Sequence, residues 1–367
     1  MTRLYIPGPT DVHHDVLQAQ AQPMIGHRTE AFVSLMQSIQ PKLRQVFQTD
    51  HRVYVAAASG SGLQEACVRN CVAERLLVVV NGAFSERWFQ VADQNGVPAD
   101  RVEAPWGQAI DADQLARALP ARPYDALAIV HNETSTGVEN PLAELCARAR
   151  ALNPDLLIMV DAVSSLAGAD VQTDAWEVDV VLTSSQKCLA LPPGLALAAV
   201  SDRALARAEK VPHRGWYFDF LLMERYIQQH MTPATPAISL LYALDVQLTR
   251  ILEEGLQTRF RRHAAMAEMA QAWALEHGGL FAEDGYRSKT VTTVKNSRKI
   301  DVHALISHLE ELGITLANGY GPLKNETFRI GHMGETSPDD VAALLETIDA
   351  YLKQPGGAPD AAYPSPA

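Results

Sequence analysis

Short, almost uninterrupted apolar runs recur along the first part of the chain, at 76–80, 126–130, 156–160, 178–182 and 195–200. A strand with one wet face alternates polar and apolar positions, whereas these runs are apolar on both faces, as strands covered from both sides are. Between several of them, residues 83–95, 111–119 and 141–152 carry apolar positions at helical spacing. Apolar strands separated by amphipathic helices predict a mainly parallel sheet with helices on both faces. Sheets of that kind gather ligands beyond the C-terminal ends of their strands.

The pattern changes after Pro236. Residues 238–277 read as one long helix, interrupted by nothing stronger than Gly255. A strand near 290–294, a helix near 302–312 and a strand near 327–330 follow, and a last helix opens at Ser337-Pro338-Asp339-Asp340. That opening places Ser at the N-cap, Pro at the first helical position and acids in the first turn, each of which suits the unpaired amides there. The pattern predicts a large α/β domain over 1–255, including an N-terminal arm, and a smaller α/β domain over 256–355. Residues 356–367, rich in Pro, Gly and Ala, predict a flexible tail.

The polar residues at the predicted strand exits carry the candidate chemistry. They are Asn81, His131-Asn132-Glu133, Asp161 and Ser184-Ser185-Gln186-Lys187. Lys187 and Asp161 put an amine and an acid at the ends of neighbouring strands. In enzymes that use pyridoxal 5'-phosphate (PLP), a lysine holds the cofactor aldehyde as a Schiff base and an aspartate pairs with the protonated pyridine nitrogen. On these two residues alone, a solvated loop lysine and a turn-capping aspartate remain open.

Ser59-Gly60-Ser61-Gly62 precedes a helical stretch, where main-chain amides at a positive helix end suit a phosphate; a flexible turn is the alternative. It is not a P-loop, because the Lys-Ser/Thr pair is missing. Phe84, or nearby Trp88, offers an aromatic face for a ring or a core side chain. Arg329 lies in an otherwise apolar strand and needs an anion, either a substrate carboxylate or a structural acid.

Composition narrows the class. The 367 residues are 47% hydrophobic and 20% charged, ample for a large buried core, and a formal net charge of −12 argues against a nucleic-acid or anionic-membrane surface. No run reaches the length of a membrane span and the N-terminus lacks a signal-peptide pattern, so a cytoplasmic protein is expected. The four cysteines, Cys67, Cys71, Cys146 and Cys188, are too scattered for a metal site and read as small core residues in a reducing compartment.

Together these motifs resemble the class V aminotransferases of PLP fold type I, specifically the alanine–glyoxylate and serine–glyoxylate (serine–pyruvate) group. The resemblance runs in order from Pro7-Gly8-Pro9-Thr10 and Gly26-His27-Arg28-Thr29, through the motifs at 59–62, 81–82, 133–137, 160–165 and 185–187. It continues to Tyr242-Ala243-Leu244, Glu254-Gly255-Leu256, Arg262-His263 and Phe328-Arg329-Ile330-Gly331. It implies a PLP-dependent transaminase moving an amino group from serine or alanine to glyoxylate or pyruvate. Lys187 would be the Schiff-base lysine and Asp161 the pyridinium partner, with Ser59, Gly60, Ser61 and Gln186 around the phosphate. Ser135 and Phe84 would meet the cofactor ring, and Gly8 and Arg329 the substrate.

The same resemblance implies a homodimer with shared sites, in which Thr232 and Thr235 reach the partner's phosphate. Thr232 stands where the family usually has Tyr, and Phe84 where well-known members have Trp. Donors such as aminoethylphosphonate or ureidoglycine, a lyase, and a non-catalytic assembly partner are the alternatives. A cysteine desulfurase is disfavoured, since no cysteine follows Cys188.

Overall fold

The computed structural model describes residues 2–353, so the tail predicted at 356–367 and the last two residues of the predicted 256–355 domain lie outside the described residues. Strands run in chain order as β1 (Arg3–Tyr5), β2 (Arg52–Ala57), β3 (Leu76–Val80), β4 (Ala99–Glu103), β5 (Ala126–Val130), β6 (Asn132–Glu133) and β7 (Val138–Glu139). They continue as β8 (Leu157–Asp161), β9 (Val180–Ser184), β10 (Leu195–Val200), β11 (Val291–Lys295), β12 (Ile314–Asn318) and β13 (Thr327–Gly331). The larger sheet has the order β2-β10-β9-β8-β5-β3-β4. Its strands are parallel apart from β10, which is antiparallel to both neighbours.

Alternation along each buried strand divides the core between two faces. Leu77, Val79, Leu127, Ile129, Ile158 and Val160 face one apolar cluster. Leu76, Val78, Ala126, Ala128, Leu157 and Met159 face the other. The second face is paved with small residues, among them Ala126, Ala128, Ala196 and Ala198, and the helix Gly60–Cys71 contacts β8, β9 and β10 there. Cys67 and Cys71, one turn apart on that helix, are fully buried against it. All four cysteines are buried free thiols.

The smaller sheet has the order β1-β12-β13-β11. Its first strand comes from the N-terminal arm, so the arm joins this sheet through parallel pairing of Arg3–Tyr5 with Ile314–Leu316 and does not belong to the larger one. The long helix expected over 238–277 is two helices, Ile238–Glu254 and Leu256–His277. Gly255 breaks it with φ 79° and ψ 132°, a conformation outside the helical region. The final helix, Pro338–Leu352, begins as its sequence predicts, with the Ser337 side chain accepting from the Asp340 amide. No helix of the described residues is long and apolar enough to cross a membrane.

Arg259 fastens the junction. Its guanidinium is 1% exposed and donates to the carbonyls of Ala167 (2.9 Å), Cys188 (2.7 Å) and Gly334 (3.1 Å) and to Glu254 (2.6 Å). One side chain therefore ties the second long helix to the loop carrying Lys187 and to the segment after β13. Because the backbone break at Gly255 sets where Arg259 lands, Gly255→Ala is expected to cost roughly 1–3 kcal/mol, the usual penalty for a side chain in a sparsely populated backbone region. An unchanged urea midpoint for that variant would show that the break carries no such strain.

Candidate active site

Parallel β5, β8 and β9 deliver the ends of three segments to one edge, and the polar residues that follow them enclose a cavity of about 130 Å³. Its walls include Ser59, Gly60, Ser61, Phe84, Asn132, Thr134, Asp161, Ser164, Ser184, Gln186 and Lys187.

Asp161 closes β8 and is 6% exposed. One carboxylate oxygen accepts from the Val163 amide (2.9 Å) and the other from Gln64 Nε2 (2.7 Å). Burial weakens it as an acid, raising its pKa to about 6 against the opposing pull of those two donors. Gln64 lies one turn after Gly60 on the same helix, and its second polar atom, Oε1, is buried without a partner. Sequence reasoning passed over this residue. Its spacing of four from Gly60, on the face that Gly60 turns toward the cavity, was the available signal.

Lys187 follows β9 in a loop that is pinned at several points. Ser185 Oγ donates to the Pro192 carbonyl (2.7 Å), and Thr10 holds the carbonyls of Gln186 and Lys187 at 3.2 Å each. The ammonium nitrogen donates to the Pro7 carbonyl. Gly8 packs on the lysine stem with φ +81°, where an added Cβ would meet Lys187 Cδ at 2.5 Å and the Gln186 carbonyl at 2.8 Å. Burial, and then the positive charge of Arg329, bring the Lys187 amine down to about 8, much nearer the neutral, nucleophilic form than an ordinary lysine. Cys188 beside it is a packing residue whose thiol burial pushes up to about 12.

At the opposite wall, Ser59 is the N-cap of the helix Gly60–Cys71, so Gly60 and Ser61 occupy its first turn, where backbone amides lack intrahelical acceptors. A Cβ on Gly60 would meet Val163 Cγ2 at 2.5 Å, which keeps this turn open only to glycine. Ser184 Oγ, also in the wall, is buried with no hydrogen-bond partner. Unfilled donors at a positive helix end, beside an orphaned hydroxyl, fit a bound phosphate.

Phe84 lines the cavity, while Trp88 is fully buried in the core. The turn that presents Phe84 is held by Glu133, a fully buried carboxylate that accepts from the amides of Phe84 (3.2 Å) and Ser85 (2.9 Å) and from the hydroxyls of Ser85 (2.9 Å) and Ser135 (2.6 Å). Ser135 lies beside this turn. Its hydroxyl is engaged with Glu133 and the Ala83 amide (3.0 Å), and it is Thr134 that lines the cavity. Thr134 in turn bonds Ser164 (2.7 Å).

Arg329, on β13, reaches the rim through the Thr134 carbonyl (3.4 Å) and donates to the Asn318 carbonyl (3.1 Å). It is 9% exposed and has no carboxylate within ion-pairing distance among the described residues. Burial lowers it to about 10. Thr232 and Thr235 lie elsewhere in the same chain, in a cleft with Val55, Ala57 and Tyr217, and Arg28 grips the carbonyls of Thr232 (2.7 Å) and Pro233 (3.0 Å). A single chain does not bring them to Gly60, Ser61 and Gln186.

A lysine brought by burial toward its neutral form, a buried acid and a donor-rich helix end meet in one cavity on a mainly parallel sheet, the architecture of a PLP-dependent transferase of fold type I. The chain belongs to the class V aminotransferase family, whose model matches residues 11–333, and it is a PLP-dependent aminotransferase. It is 37% identical to an uncharacterized aminotransferase of Methanocaldococcus jannaschii, covering 96% of this chain and 93% of that one. It is 31% identical to a serine–glyoxylate aminotransferase of Methylorubrum extorquens, covering 90% and 86%. Among solved structures it matches an alanine–glyoxylate aminotransferase from Nostoc sp. with a TM-score of 0.90 and 32% identity, covering 96% of each chain.

Asp161 links the site to stability. Its value in the folded protein, about 6, lies above the roughly 3.9 of a free aspartate, so its buried charge costs nothing below both values and opposes folding increasingly as pH rises through 6. Asp161→Asn removes that charge, and a turn of the Gln64 amide lets its free Oε1 accept from the new side chain. In cofactor-free protein, the variant is expected to gain up to roughly 2–3 kcal/mol over wild type at pH 7 and almost nothing near pH 4. Urea titrations across that range check this; a difference independent of pH would contradict it.

Proposed function

We propose that this transaminase takes its amino group from serine or alanine and passes it to glyoxylate or pyruvate, using Lys187, Asp161 and Arg329. The observation that carries the reading is the meeting of a softened lysine and a buried acid in one cavity, with an arginine at its rim that no acid pairs among the described residues. The names of the serine–glyoxylate and alanine–glyoxylate relatives support the substrate pair. PLP, when bound, supplies an electron sink for the substrate Cα.

The chain's own residues do the rest. Lys187 Nζ would hold the cofactor, and once free would remove and return the Cα proton as general base and acid. Asp161 keeps a proton on the pyridine nitrogen by placing a buried negative charge beside it. Arg329 fixes the substrate carboxylate bidentately and so sets the orientation of the Cα bond that breaks. Ser59, Gly60, Ser61, Ser184 and Gln186 would take the phosphate, Phe84 and Thr134 would lie beside the ring, and Ser135 would act on it through Glu133 and the Phe84 turn. Gly8 leaves room for the Lys187 stem on the substrate side.

Larger and smaller units, 1–255 and 256–355, would meet at this site, with β1 of the arm counted in the smaller one. A cytoplasmic setting suits four buried free thiols.

Borohydride reduction of the holoprotein followed by peptide mapping is expected to find the pyridoxyl group on Lys187, and Lys187→Ala to abolish turnover. A label on another lysine would overturn the assignment. In single turnovers, serine or alanine should bleach the bound cofactor's visible absorbance and glyoxylate should restore it; failure of both donors would remove the substrate reading.

The working unit is a homodimer in which Thr232 and Thr235 of one chain complete the phosphate site of the other. The stretch Thr232–Pro236 is stiffened by two prolines and held by Arg28 at two carbonyls, which suits presentation across an interface. Mixing inactive Lys187→Ala chains with chains altered to Val at both threonines is expected to restore activity, because one site in each mixed dimer regains all its parts. A fully active monomer, or no recovery despite proven subunit exchange between two inactive parents, would exclude shared sites.

A further inference from the structure

We infer that Arg87 is a positioning residue that couples the phosphate end of the cavity to its substrate end, acting through the hydroxyls of Ser61 and Tyr320. The inference rests on the reading above, in which Ser61 takes the cofactor phosphate and Arg329 the substrate carboxylate.

Arg87 lies on the helix Ala83–Gln94, half-buried, one turn after Phe84. A half-buried arginine ordinarily finds an acid. Its helix neighbour Glu86 does pair, with Arg101 at 2.8 Å, yet Arg87 itself has no carboxylate within 4 Å among the described residues. Its side-chain partners are two hydroxyls instead. Nη1 donates to Ser61 Oγ and Nη2 to Tyr320 Oη, both at 3.2 Å, while the guanidinium carbon stands 5.0 Å from the centre of the Phe84 ring. Ser61 belongs to the first turn of the phosphate-side helix, and Tyr320 precedes the short turn between β12 and β13. One cation thus bridges the helix at one wall of the cavity and the turn between two strands of the smaller sheet.

The direction of these hydrogen bonds matters. A guanidinium has donors and no acceptor, so both hydroxyl oxygens must accept from it, and each hydroxyl proton is left to point elsewhere. For Ser61 the proton is thereby free to be donated to an anion at the helix end, next to a positive charge that no protein acid neutralises. Tyr320 is fixed by the same contact. Its ring meets Phe84 at 5.3 Å and lies 5.5 Å from the guanidinium carbon of Arg329, so it forms a wall between the two arginines. Arg87 therefore sets the hydroxyl that meets the phosphate and the aromatic ring against which the carboxylate-binding arginine rests.

The test compares PLP with pyridoxal, which lacks the phosphate. Full-length protein freed of cofactor is titrated with each, following visible absorbance and tryptophan fluorescence, for wild type, Arg87→Met and Arg87→Lys, with circular dichroism to confirm folding. Arg87→Met is expected to weaken PLP roughly tenfold, the scale of one lost charge-assisted hydrogen bond, while pyridoxal affinity stays within about twofold. Arg87→Lys should recover part of the loss, since it keeps the charge and loses the fork that spans both hydroxyls.

With PLP saturating, Tyr320→Phe should raise KM for the donor amino acid and leave PLP affinity nearly unchanged. Unaltered PLP affinity in Arg87→Met, or equal losses for PLP and pyridoxal, would overturn the inference, the second result marking a merely structural residue. Wild type that binds PLP no more tightly than pyridoxal would instead overturn the phosphate reading itself.

Discussion

Desolvation of charge is the constraint around which this molecule is arranged. Five ionisable side chains, Glu133, Asp161, Lys187, Arg259 and Arg329, are gathered around the C-terminal edge of the larger sheet, four of them buried and Lys187 partly so, where an uncompensated charge is expensive. They fall into two groups. Glu133 and Arg259 are saturated with partners, Glu133 by amides and hydroxyls of the Phe84 turn and Arg259 by three carbonyls and Glu254. Those two are structural, because nothing further could bind them without breaking what they hold. Asp161, Lys187 and Arg329 each have fewer partners than they can use, and burial moves all three toward their neutral forms. A ligand carrying a protonated ring nitrogen, an aldehyde and a carboxylate would complete each of them.

The saturated groups place the unsaturated ones. Arg259 grips the Cys188 carbonyl, immediately after Lys187, from a helix whose position is set by the backbone break at Gly255. Glu133 fixes the turn that carries Phe84, and the same helix then delivers Arg87 to Ser61 and Tyr320. From the other side the N-terminal arm leaves β1 in the smaller sheet and crosses to the Lys187 loop, where Pro7 receives the ammonium, Gly8 makes room for its stem and Thr10 holds its carbonyl. Pre-organisation here is a matter of loops clamped from several directions, which limits the movement available to the reacting amine.

Much of this was legible in the chain. The runs at 76–80, 126–130 and 195–200 are strands at those residues, while 156–160 and 178–182 are displaced to Leu157–Asp161 and Val180–Ser184. The displacement has a cause. Apolar pattern reports burial, and the pairing that defines a strand continues into Asp161 and Ser184, while Asp179 stands just before the strand with its carboxylate accepting from Ser201, Arg150 and the Ile158 amide. The edge strand Ala99–Glu103 escaped notice because an edge exposes polar side chains and carries no apolar run. Arg52–Ala57, at the other edge, does carry an apolar run from Val53 and was passed over, whereas the reversed direction of β10 was silent, since strand order and direction are not encoded in periodicity.

By itself the sequence determined the buried central strands, most of the helices and which polar residues stand at their ends. Those depend on local spacing of apolar side chains and on caps that act over a single turn, as at Ser337, and they were enough to single out Lys187, Asp161 and Arg329. Tertiary structure alone decided the company these residues keep: Gln64 over Asp161, Thr134 in the cavity wall while Ser135 turns to Glu133, and Thr232 and Thr235 in a cleft apart from the phosphate side of their own chain. It also decided that Arg87 would find two hydroxyls and no acid. The physical reason is range. A strand or a cap is settled by neighbours a few residues away, whereas the hydration and charge of a buried group are settled by side chains that meet it only after segments hundreds of residues apart have packed.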